Sequence, residues 1–226
     1  MEIRRTVMLA FLAGAGLLFS SCVSMREQQL REFDRASLPG MIYDLDQKPC
    51  AGALVLVDGH PGPRTDLNGR FTIGALARGS HDLRVVKEGY EPLETSIEYL
   101  DRSQALYLKV TSHGQLLRMA EEALGRRRLK EADGYLRRAE SLDPDDPVGN
   151  YLRALYLIRM EDTDGAVKEL DRILASGIEE PAVYLSLADI YQHRIGDRDR
   201  AAGYLREYLA RVNSPDVRAR LEGLQP

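Results

Sequence analysis

The sequence predicts a two-part fold, in which a small antiparallel β-sandwich of immunoglobulin-like outline is followed by an α-helical solenoid of three repeats. Two observations support this prediction. Between Leu38 and Thr111, short β-rich runs alternate with turn residues every 8–12 positions, which is typical of small sandwiches. After Ser112, Leu, Ala, Arg and Glu dominate at helical spacing, and several positions recur every 34 residues, as in stacked helix pairs.

The first 21 residues have the organisation of a signal peptide. A short basic region precedes an uncharged stretch of 13 residues, 7–19, which is too short to cross a bilayer core of about 30 Å as a helix. The stretch leads into "LLFSSC", residues 17–22, which resembles the lipobox of bacterial lipoproteins, although Phe19 departs from its strictest form. The resemblance implies that Cys22 carries the lipid, palmitate included, and becomes the new N-terminus. The alternative is an ordinary cleaved signal peptide followed by a chance cysteine.

Residues 22–38 are predicted to form a tether from the lipidated cysteine to the first domain. After Cys22 the stretch is mostly polar and charged, with too little apolar content to be buried. The residue after Cys22 is not Asp, and an Asp there retains lipoproteins at the inner membrane in well-studied envelope sorting systems. We therefore expect a lipid-anchored protein of the bacterial outer membrane, facing the periplasm or the cell surface.

The chain has two cysteines. If Cys22 is acylated, Cys50 has no partner for an intramolecular disulfide. Its position at the head of an apolar strand then predicts a small buried side chain. A disulfide between the two cysteines would instead fasten the tether to the first domain.

The stretch "GHPGPRTDLNGRF", residues 59–71, has the composition of a catalytic or metal site, but its pattern predicts a loop and a hairpin turn. Asp66 can accept hydrogen bonds from backbone N–H groups two or three residues on, and Asn68-Gly69 supplies the positive φ of a tight turn. The prolines place the preceding segment in a loop or an edge strand, and Phe71 returns to the core.

The sequence contains no constellation that supports catalysis, a cofactor or a metal. His60 and Asp66 are too few for zinc, and the other histidines fall in different elements without ligand spacing. The EF-hand pattern, the nucleophile elbow, the phosphate-binding loop and the dinucleotide fingerprint are missing. The acidic cluster "DPDD", residues 143–146, lies in a turn between repeats, where helix capping is its expected role. We therefore expect a protein that is not an enzyme.

Two segments of residues 39–111 have a familiar pattern, "GMIYDLDQKPCAGALVLVDG" and "TDLNGRFTIGALARGSHDLRVVKEGYEP". They resemble carboxypeptidase regulatory-like domains, which are seven-stranded transthyretin-like sandwiches. The final part, a strand followed by Lys-x-Gly-Tyr-x-Pro, also resembles PEGA domains, which are small extracytoplasmic β modules. Either resemblance implies a β-sandwich without catalysis of its own.

The repeat occupies residues 112–226. It is seen in columns of residues that stand 34 positions apart: Ala120, Ala154 and Ala188; Ala132 and Ala166; Leu136 and Leu170; Pro147 and Pro181. The spacing predicts units at about 113–146, 147–180 and 181–214, closed by a capping helix that begins near Ser214. In the third unit Ala201 and Leu205 lag by one residue, which predicts an insertion within "RIGDRD".

The period and pattern resemble tetratricopeptide repeats, and the resemblance implies a concave face lined by the first helix of each unit. The lining residues are then Leu117, Glu121 and Leu124; Val148, Tyr151, Leu155, Ile158 and Arg159; and Leu185, Asp189, Gln192 and His193. The second unit is the most apolar, which predicts a groove for an apolar peptide or partner helix. The alternative is that this face packs against the β domain or a neighbouring chain. A basic clamp for a C-terminal carboxylate is not expected, because Leu117, Tyr151 and Leu185 occupy its column.

These predictions favour a lipid-anchored envelope protein that acts as a non-catalytic interaction or assembly scaffold. Its partners would be an unidentified envelope protein or peptide and, through the lipid, the membrane. The net charge of -4 argues against a nucleic-acid binder, which needs a basic face. The alternative is a glycan- or peptidoglycan-binding module whose sandwich offers an aromatic platform from Tyr43, Tyr90, Tyr99 and Tyr107.

Overall fold

The computed structural model describes residues 35–224. The predicted signal peptide, the predicted acylation site at Cys22 and most of the predicted tether lie outside these residues. Within the described chain there are two compact units. One contains the strands up to Glu88 and from Pro92 to Val110, and the other contains Gly89–Glu91 and the helices that follow Thr111.

The first unit is a sandwich of two sheets. Its strands are β1 Arg35–Asp44, β2 Leu54–Val57, β3 His60–Arg64, β4 Arg70–Ala77, β5 Gly79–Val86, β6 Leu93–Tyr99 and β7 Leu106–Val110. One sheet has the order β4-β1-β7 and the other has the order β3-β2-β5-β6. The β-sandwich is confirmed, with one departure from the antiparallel prediction: β1 and β7 run parallel. No hairpin joins these two strands, since the chain visits the second sheet between them, so nothing imposes opposite directions.

Alternating side chains fill the space between the two sheets. Leu83 and Val85 of β5 are 2% and 1% exposed, as the period of two predicts. Phe71 is 4% exposed, so its predicted return to the core is confirmed. A Cβ atom at Gly40 would lie 2.4 Å from the Phe71 ring, which makes glycine a requirement of this packing. Cys50 is buried and free, as predicted.

Two strands lie partly or wholly where the sequence predicts a tether or a loop. β1 begins at Arg35, inside the predicted tether of residues 22–38, because Leu38 is completely buried in the sandwich. β3 is an edge strand that contains Pro61 and Pro63, in agreement with the expectation of a loop or an edge.

The polar stretch after β3 forms one of two matching turns, Asp44–Lys48 and Asp66–Arg70. In each turn the first and fifth residues form a backbone hydrogen bond, of 2.9 and 2.8 Å. In each, an oxygen of the leading aspartate accepts N–H groups from the third and fifth residues at 2.8–2.9 Å. The fourth residue, Gln47 or Gly69, has φ of 63° or 74°. The Asp66 carboxylate therefore stabilises the turn by accepting hydrogen bonds from backbone N–H groups, as predicted, and the Asp44 carboxylate does the same in the other turn.

The second unit is a series of antiparallel helix pairs. Its helices are α1 His113–Gly125, α2 Leu129–Leu142, α3 Pro147–Arg159, α4 Thr163–Ala175, α5 Pro181–Ile190, α6 Arg198–Arg211 and α7 Pro215–Glu222. α1 packs on α2, α3 on α4 and α5 on α6, and α7 covers α6 at the end of the array. This is the three-repeat solenoid that the sequence predicts.

The columns of small residues lie where the helices meet. Ala120, Ala154 and Ala188 of the first helices have no exposed surface, and the same is true of the second-helix column, Ala132, Ala166 and Ala201. A methyl group at these points lets the paired helices approach closely, and the leucines between them fill the remaining space.

Polar contacts join the first repeat to the second. Arg153 of α3 contacts the Asp133 carboxylate of α2 at 2.7 Å and the Glu140 carboxylate at 3.3 Å. Partial burial works to raise the pKa of Asp133, but the guanidinium groups of Arg153 and Arg137 hold that pKa below its usual value. Asp133 therefore stays ionised and paired at neutral pH.

Capping side chains fix where the helices begin. Asp146 accepts the Gly149 N–H at 2.7 Å at the start of α3, so the predicted capping role of the "DPDD" cluster is confirmed. Ser214 accepts the Val217 N–H at 3.4 Å at the start of α7, as the predicted helix-start signal requires.

The extra residue of the third repeat is absorbed at the end of its first helix. α5 continues into a π-helical turn, Tyr191–Ile195, in which the Gly196 N–H donates to the Tyr191 carbonyl. A π turn accommodates one more residue than an α turn. Gly196 then adopts φ of 81°, as Arg127 and Glu161 do with 57° and 63° in the first two repeats. The π turn shares residues 194 and 195 with "RIGDRD", so the predicted insertion is absorbed at the start of that segment and in the helix end before it.

No helix within residues 35–224 combines the length and apolar character needed to cross a membrane.

A histidine–aspartate pair joins β2 and β5, the two inner strands of the β3-β2-β5-β6 sheet, at one end of the sheet. Asp58 and Gly59 form the β2–β3 turn with φ of 50° and 77°, and the Asp58 carboxylate contacts Nδ1 of His81 at 2.7 Å. Nε2 of His81 lies 2.9 Å from the Ala77 carbonyl. Both ring nitrogens face acceptors, so the imidazolium satisfies both contacts and the neutral ring satisfies only one.

The electrostatics of this pair follow from the same geometry. Burial alone would lower the pKa of His81, but the contacts with Asp58 and the Ala77 carbonyl, together with the charge of Glu98, raise it above its ordinary value. The hydrogen bonds from His81 and from the Asp82 N–H lower the pKa of Asp58. The histidine contribution to stability is therefore complete below pH about 6.5 and is lost as pH rises through the folded-state pKa. The aspartate contribution is lost only when pH falls below about 3.9 toward the lowered pKa of Asp58.

We predict that His81→Gln removes this pH dependence. The wild-type sandwich should gain stability relative to the variant between pH 8 and pH 5, because only the wild type takes up a proton at this position on folding. Denaturant unfolding followed through NMR signals of the sandwich measures the difference. His60→Gln is the matched control, since His60 is an exposed histidine of the same β2–β3 hairpin whose ring contacts the backbone carbonyl of Asp58 rather than its carboxylate. An equal gap between wild type and His81→Gln at both pH values would contradict the prediction.

Candidate interaction site

The residues predicted for the concave face divide into surface and core. Val148 is 53% exposed, and four further apolar residues are half-buried: Tyr151, Leu155, Ile158 and Leu185. The exposed polar positions are Glu121, Arg159, Asp189 and His193, and Gln192 is half-buried. Leu117 and Leu124 are only 8% and 2% exposed. These two leucines belong to the core of the first repeat, so their assignment to the binding surface is corrected.

An apolar pocket of about 430 Å³ lies between the N-terminal halves of α3 and α5. It brings together Val148 and Tyr151, which the sequence predicts, with residues that it does not. The additional lining residues are Pro147, Ile173, Ile178, Glu180, Ala182 and Val183. Ala182 stands 34 residues after Val148, so the repeat spacing would identify it. Ile173 and Ile178 come from the end of α4 and the following loop, and no spacing rule points to them.

The pocket arises from a difference between two equivalent helix contacts. Between α1 and α3, Leu117 lies against Gly149, where an added Cβ atom would be 3.6 Å from the leucine. One repeat later the corresponding residues are Tyr151 and Val183. The larger pair keeps α3 and α5 farther apart, and their backbones approach closely at fewer points than those of α1 and α3. The space between them is the pocket.

The hydroxyl of Tyr151 lies 3.3 Å from the Ser186 hydroxyl of α5. This contact orients the ring, whose apolar face lines the pocket. Glu180 is the charged residue among those that line it. Such a surface suits an apolar chain segment better than a charged ligand.

The capping helix closes the far end of the predicted face. Arg220 of α7 contacts the Asp189 carboxylate at 2.6 Å and donates to the Gln192 side-chain oxygen at 2.6 Å. Two of the residues predicted for partner contact are thus already engaged within the chain. No repeat spacing points to the contacts of Arg220 with Asp189 and Gln192, because Arg220 lies outside the three repeats.

The tyrosines considered for a glycan platform do not share one surface. Tyr99 is 1% exposed, and Tyr90 belongs to the helical unit, where it pairs with Ser112. Tyr43 and Tyr107 both lie on the outer face of the β4-β1-β7 sheet, since Tyr107 is opposite Met41 in the parallel register. Tyr107 is 69% exposed, and the Lys109 ammonium lies 5.4 Å from the Tyr43 ring centre. A platform would therefore be limited to these two tyrosines.

The described residues contain no grouping for a metal. Nowhere in residues 35–224 do three His, Cys, Asp or Glu side chains come close enough to hold an ion. His60, at the start of the stretch with the composition of a site, contacts the Asp58 carbonyl at 2.9 Å.

Comparison with known proteins supports the sandwich assignment directly. Residues 50–112 match the family model of the PEGA domain, which confirms the PEGA-like resemblance for this part of the chain. A comparison with curated proteins finds no significant match.

Solved structures similar to the chain include two that are named as tetratricopeptide-repeat (TPR) domains. The first repeat domain of Spaghetti (RPAP3), solved with an HSP90 peptide, is 15% identical, covers 50% of this chain and 89% of its own, and has a TM-score of 0.45. The Yersinia enterocolitica chaperone SycD, solved with a peptide of YopD, is 17% identical, covers 49% of this chain and 87% of its own, and has a TM-score of 0.43. The Arabidopsis OM64 TPR domain is 12% identical, covers 50% of this chain and 93% of its own, and has a TM-score of 0.45. The repeat assignment itself rests on the spacing and pairing of the helices in this chain.

Proposed function

We propose that this protein is a non-catalytic interaction scaffold whose helical array holds an apolar segment of a partner protein. The observation that carries the proposal is the pocket between α3 and α5, open to solvent and lined by Val148, Tyr151 and Ala182. Burial of apolar side chains there contributes about 25 cal/mol per Å² removed from water. A few anchor residues of a peptide or helix would therefore supply most of the binding energy.

The half-buried residues beyond the pocket extend this surface along α3. Leu155 follows Tyr151 after four residues and Ile158 follows Leu155 after three, so the three side chains lie on one helix face. Ile158 packs with Tyr151 and with Leu185 of α5 against the core of the second and third repeats, whereas Leu155 packs against the core of the first repeat. The combined strip suits a partner helix with apolar residues on one side.

The second part of the proposal is a lipid anchor in the bacterial envelope. Its support is the lipobox-like "LLFSSC" with Cys22 at its end, the polar stretch that follows and the absence of Asp after the cysteine. The match of residues 50–112 to the PEGA domain is consistent with an extracytoplasmic setting. The anchor would keep the interaction surface at the outer membrane, in the periplasm or at the cell surface.

The alternative function, binding of glycan or peptidoglycan, is supported by one observation, the exposure of Tyr107 beside Tyr43 on one sheet face. Stacking on sugar rings needs such exposed aromatic surface. Co-sedimentation of the mature protein with purified sacculi would favour this alternative.

We predict that Tyr151→Lys combined with Leu155→Lys abolishes partner capture from envelope extracts, because a charge in the apolar strip loses solvation when the partner covers it. Val148→Lys tests the same surface with less risk to the fold, since Val148 is 53% exposed. The matched control is Ala175→Lys with Ala210→Lys, which adds the same charge at exposed positions on α4 and α6. Circular dichroism verifies that the variants fold. An unchanged set of captured proteins would reject the proposed surface.

We predict that the mature protein begins at an acylated Cys22. Intact-mass and peptide mass spectrometry of protein purified from membranes should find the lipid on residue 22 and no peptide from residues 1–21. Cys22→Ser should leave the protein uncleaved or release it from the membrane fraction. An unmodified chain that starts at another residue would contradict this part of the proposal.

A further inference from the structure

The sandwich has four edge strands, and three of them carry a feature that blocks further strand pairing. β3 contains Pro61 and Pro63, which have no N–H to donate. β4 is irregular, since its register with β1 shifts between Ala36 and Leu38 and Ala75 has φ of 50°. Natural sheets commonly protect their edges by such prolines and bulges.

The edge of β6 is blocked at one end by a side chain. The Gln104 amide donates to the Glu98 carbonyl at 2.9 Å and accepts the Leu100 N–H at 3.0 Å. The carboxamide thus occupies the place that a peptide group of a neighbouring strand would take. The exposed side chains of β6 include Glu94 and Glu98, which would oppose each other if two copies of β6 paired about Ser96.

The fourth edge, β7, has no such protection within the described residues. Its sequence, "LYLKV", has neither proline nor glycine, and residues 35–224 supply β1 as its one neighbour in the sheet. Its side chains alternate between the sandwich core, with Leu106 and Val110 at 8% and 2% exposure, and the exposed Tyr107 and Lys109. Lys109 is the one charged side chain of this short edge, and an edge without proline or bulge can still pair with a strand whose side chains accommodate that charge.

We propose that β7 pairs antiparallel with β7 of a second copy of this chain, with Leu108 on the two-fold axis. In that register Tyr107 lies opposite the partner's Lys109, and Lys109 lies opposite the partner's Tyr107. Leu106 meets the partner's Val110 on the core side. The strand is therefore complementary to itself on both faces, unlike β6, in which like charges would meet.

The contacts inside one copy extend this complementarity. The Lys109 ammonium already lies 5.4 Å from the ring centre of Tyr43, and Tyr107 is opposite Met41. In the paired sheet each lysine stands between its own Tyr43 and the partner's Tyr107. A cation between two aromatic faces is favourable at exposed sites. The two three-stranded sheets become one continuous sheet of six strands.

The proposed interface is small, so the association between two copies is weak and depends on their local concentration. Five residues per strand bury less than the roughly 1,200–2,000 Å² of a stable interface, so the isolated proteins associate weakly. Anchoring in a common membrane raises the effective concentration and favours the pair. The pairing itself does not depend on the anchor or on the helical array, so it can hold or fail independently of the proposed function.

Disulfide trapping tests the register. Full-length protein with Cys22→Ser, in detergent, has buried Cys50 as its remaining native thiol. Mixing Tyr107→Cys chains with Lys109→Cys chains under mild oxidation should produce cross-linked dimer, because directly opposed residues of antiparallel strands lie about 4.5–5.5 Å apart. Either variant alone should cross-link several-fold less, since equal positions are offset by two residues. Mass spectrometry of the dimer identifies the linked peptides.

The matched control uses β6, where Glu94→Cys is mixed with Glu98→Cys. Both pairs of positions are exposed on strand surfaces, so the substitutions do not disturb the core. A dimer formed by the β7 mixture, and not by the β6 mixture, supports the proposal. Cross-linking of the β7 mixture no greater than that of its single variants or of the β6 mixture overturns it.

Discussion

Each helix pair in the array meets at an alanine whose side chain is completely buried. Ala120, Ala154 and Ala188 repeat this contact at intervals of 34 residues, and a larger side chain at such a close approach costs about 1–3 kcal/mol through overpacking. The rest of the unit depends on these contacts, because they set the separation within each pair. The pairs can then differ only in how they lie against one another, and that is where the candidate site is found.

The candidate site is a consequence of two residues at equivalent places in successive repeats. Gly149 lets α1 and α3 close over Leu117, whereas Val183 beside Tyr151 keeps α3 and α5 apart. The polar stretch at residues 59–71, by contrast, stabilises a turn. The carboxylate of Asp66 accepts hydrogen bonds from backbone N–H groups, as Asp44 does in the matching turn. The polar residues of these two turns thus stabilise the backbone of the sandwich, whereas the proposed contact with a partner is made by apolar residues of the repeats.

The sequence was sufficient for features that depend on local pattern. The repeat period, the cap at Asp146 and the turn at Asp66 follow from spacing and residue type, and the structure contains all three. Features that depend on packing were not predictable. Leu117 fits the concave column, yet the adjacent Gly149 allows it to be buried. The pairing of Arg220 with Asp189 joins residues outside any common repeat, and the parallel β1–β7 pair depends on the path of the whole chain.

In the proposed function the partner lies against the pocket between α3 and α5. Site-specific photo-cross-linking in intact cells detects this contact, with a photoreactive amino acid in place of Ala182, which is exposed at the pocket. We expect a discrete adduct with another envelope protein from this position, and none from the same amino acid at Lys168 on α4. No adduct at Ala182, or equal adducts at both positions, would contradict the proposal.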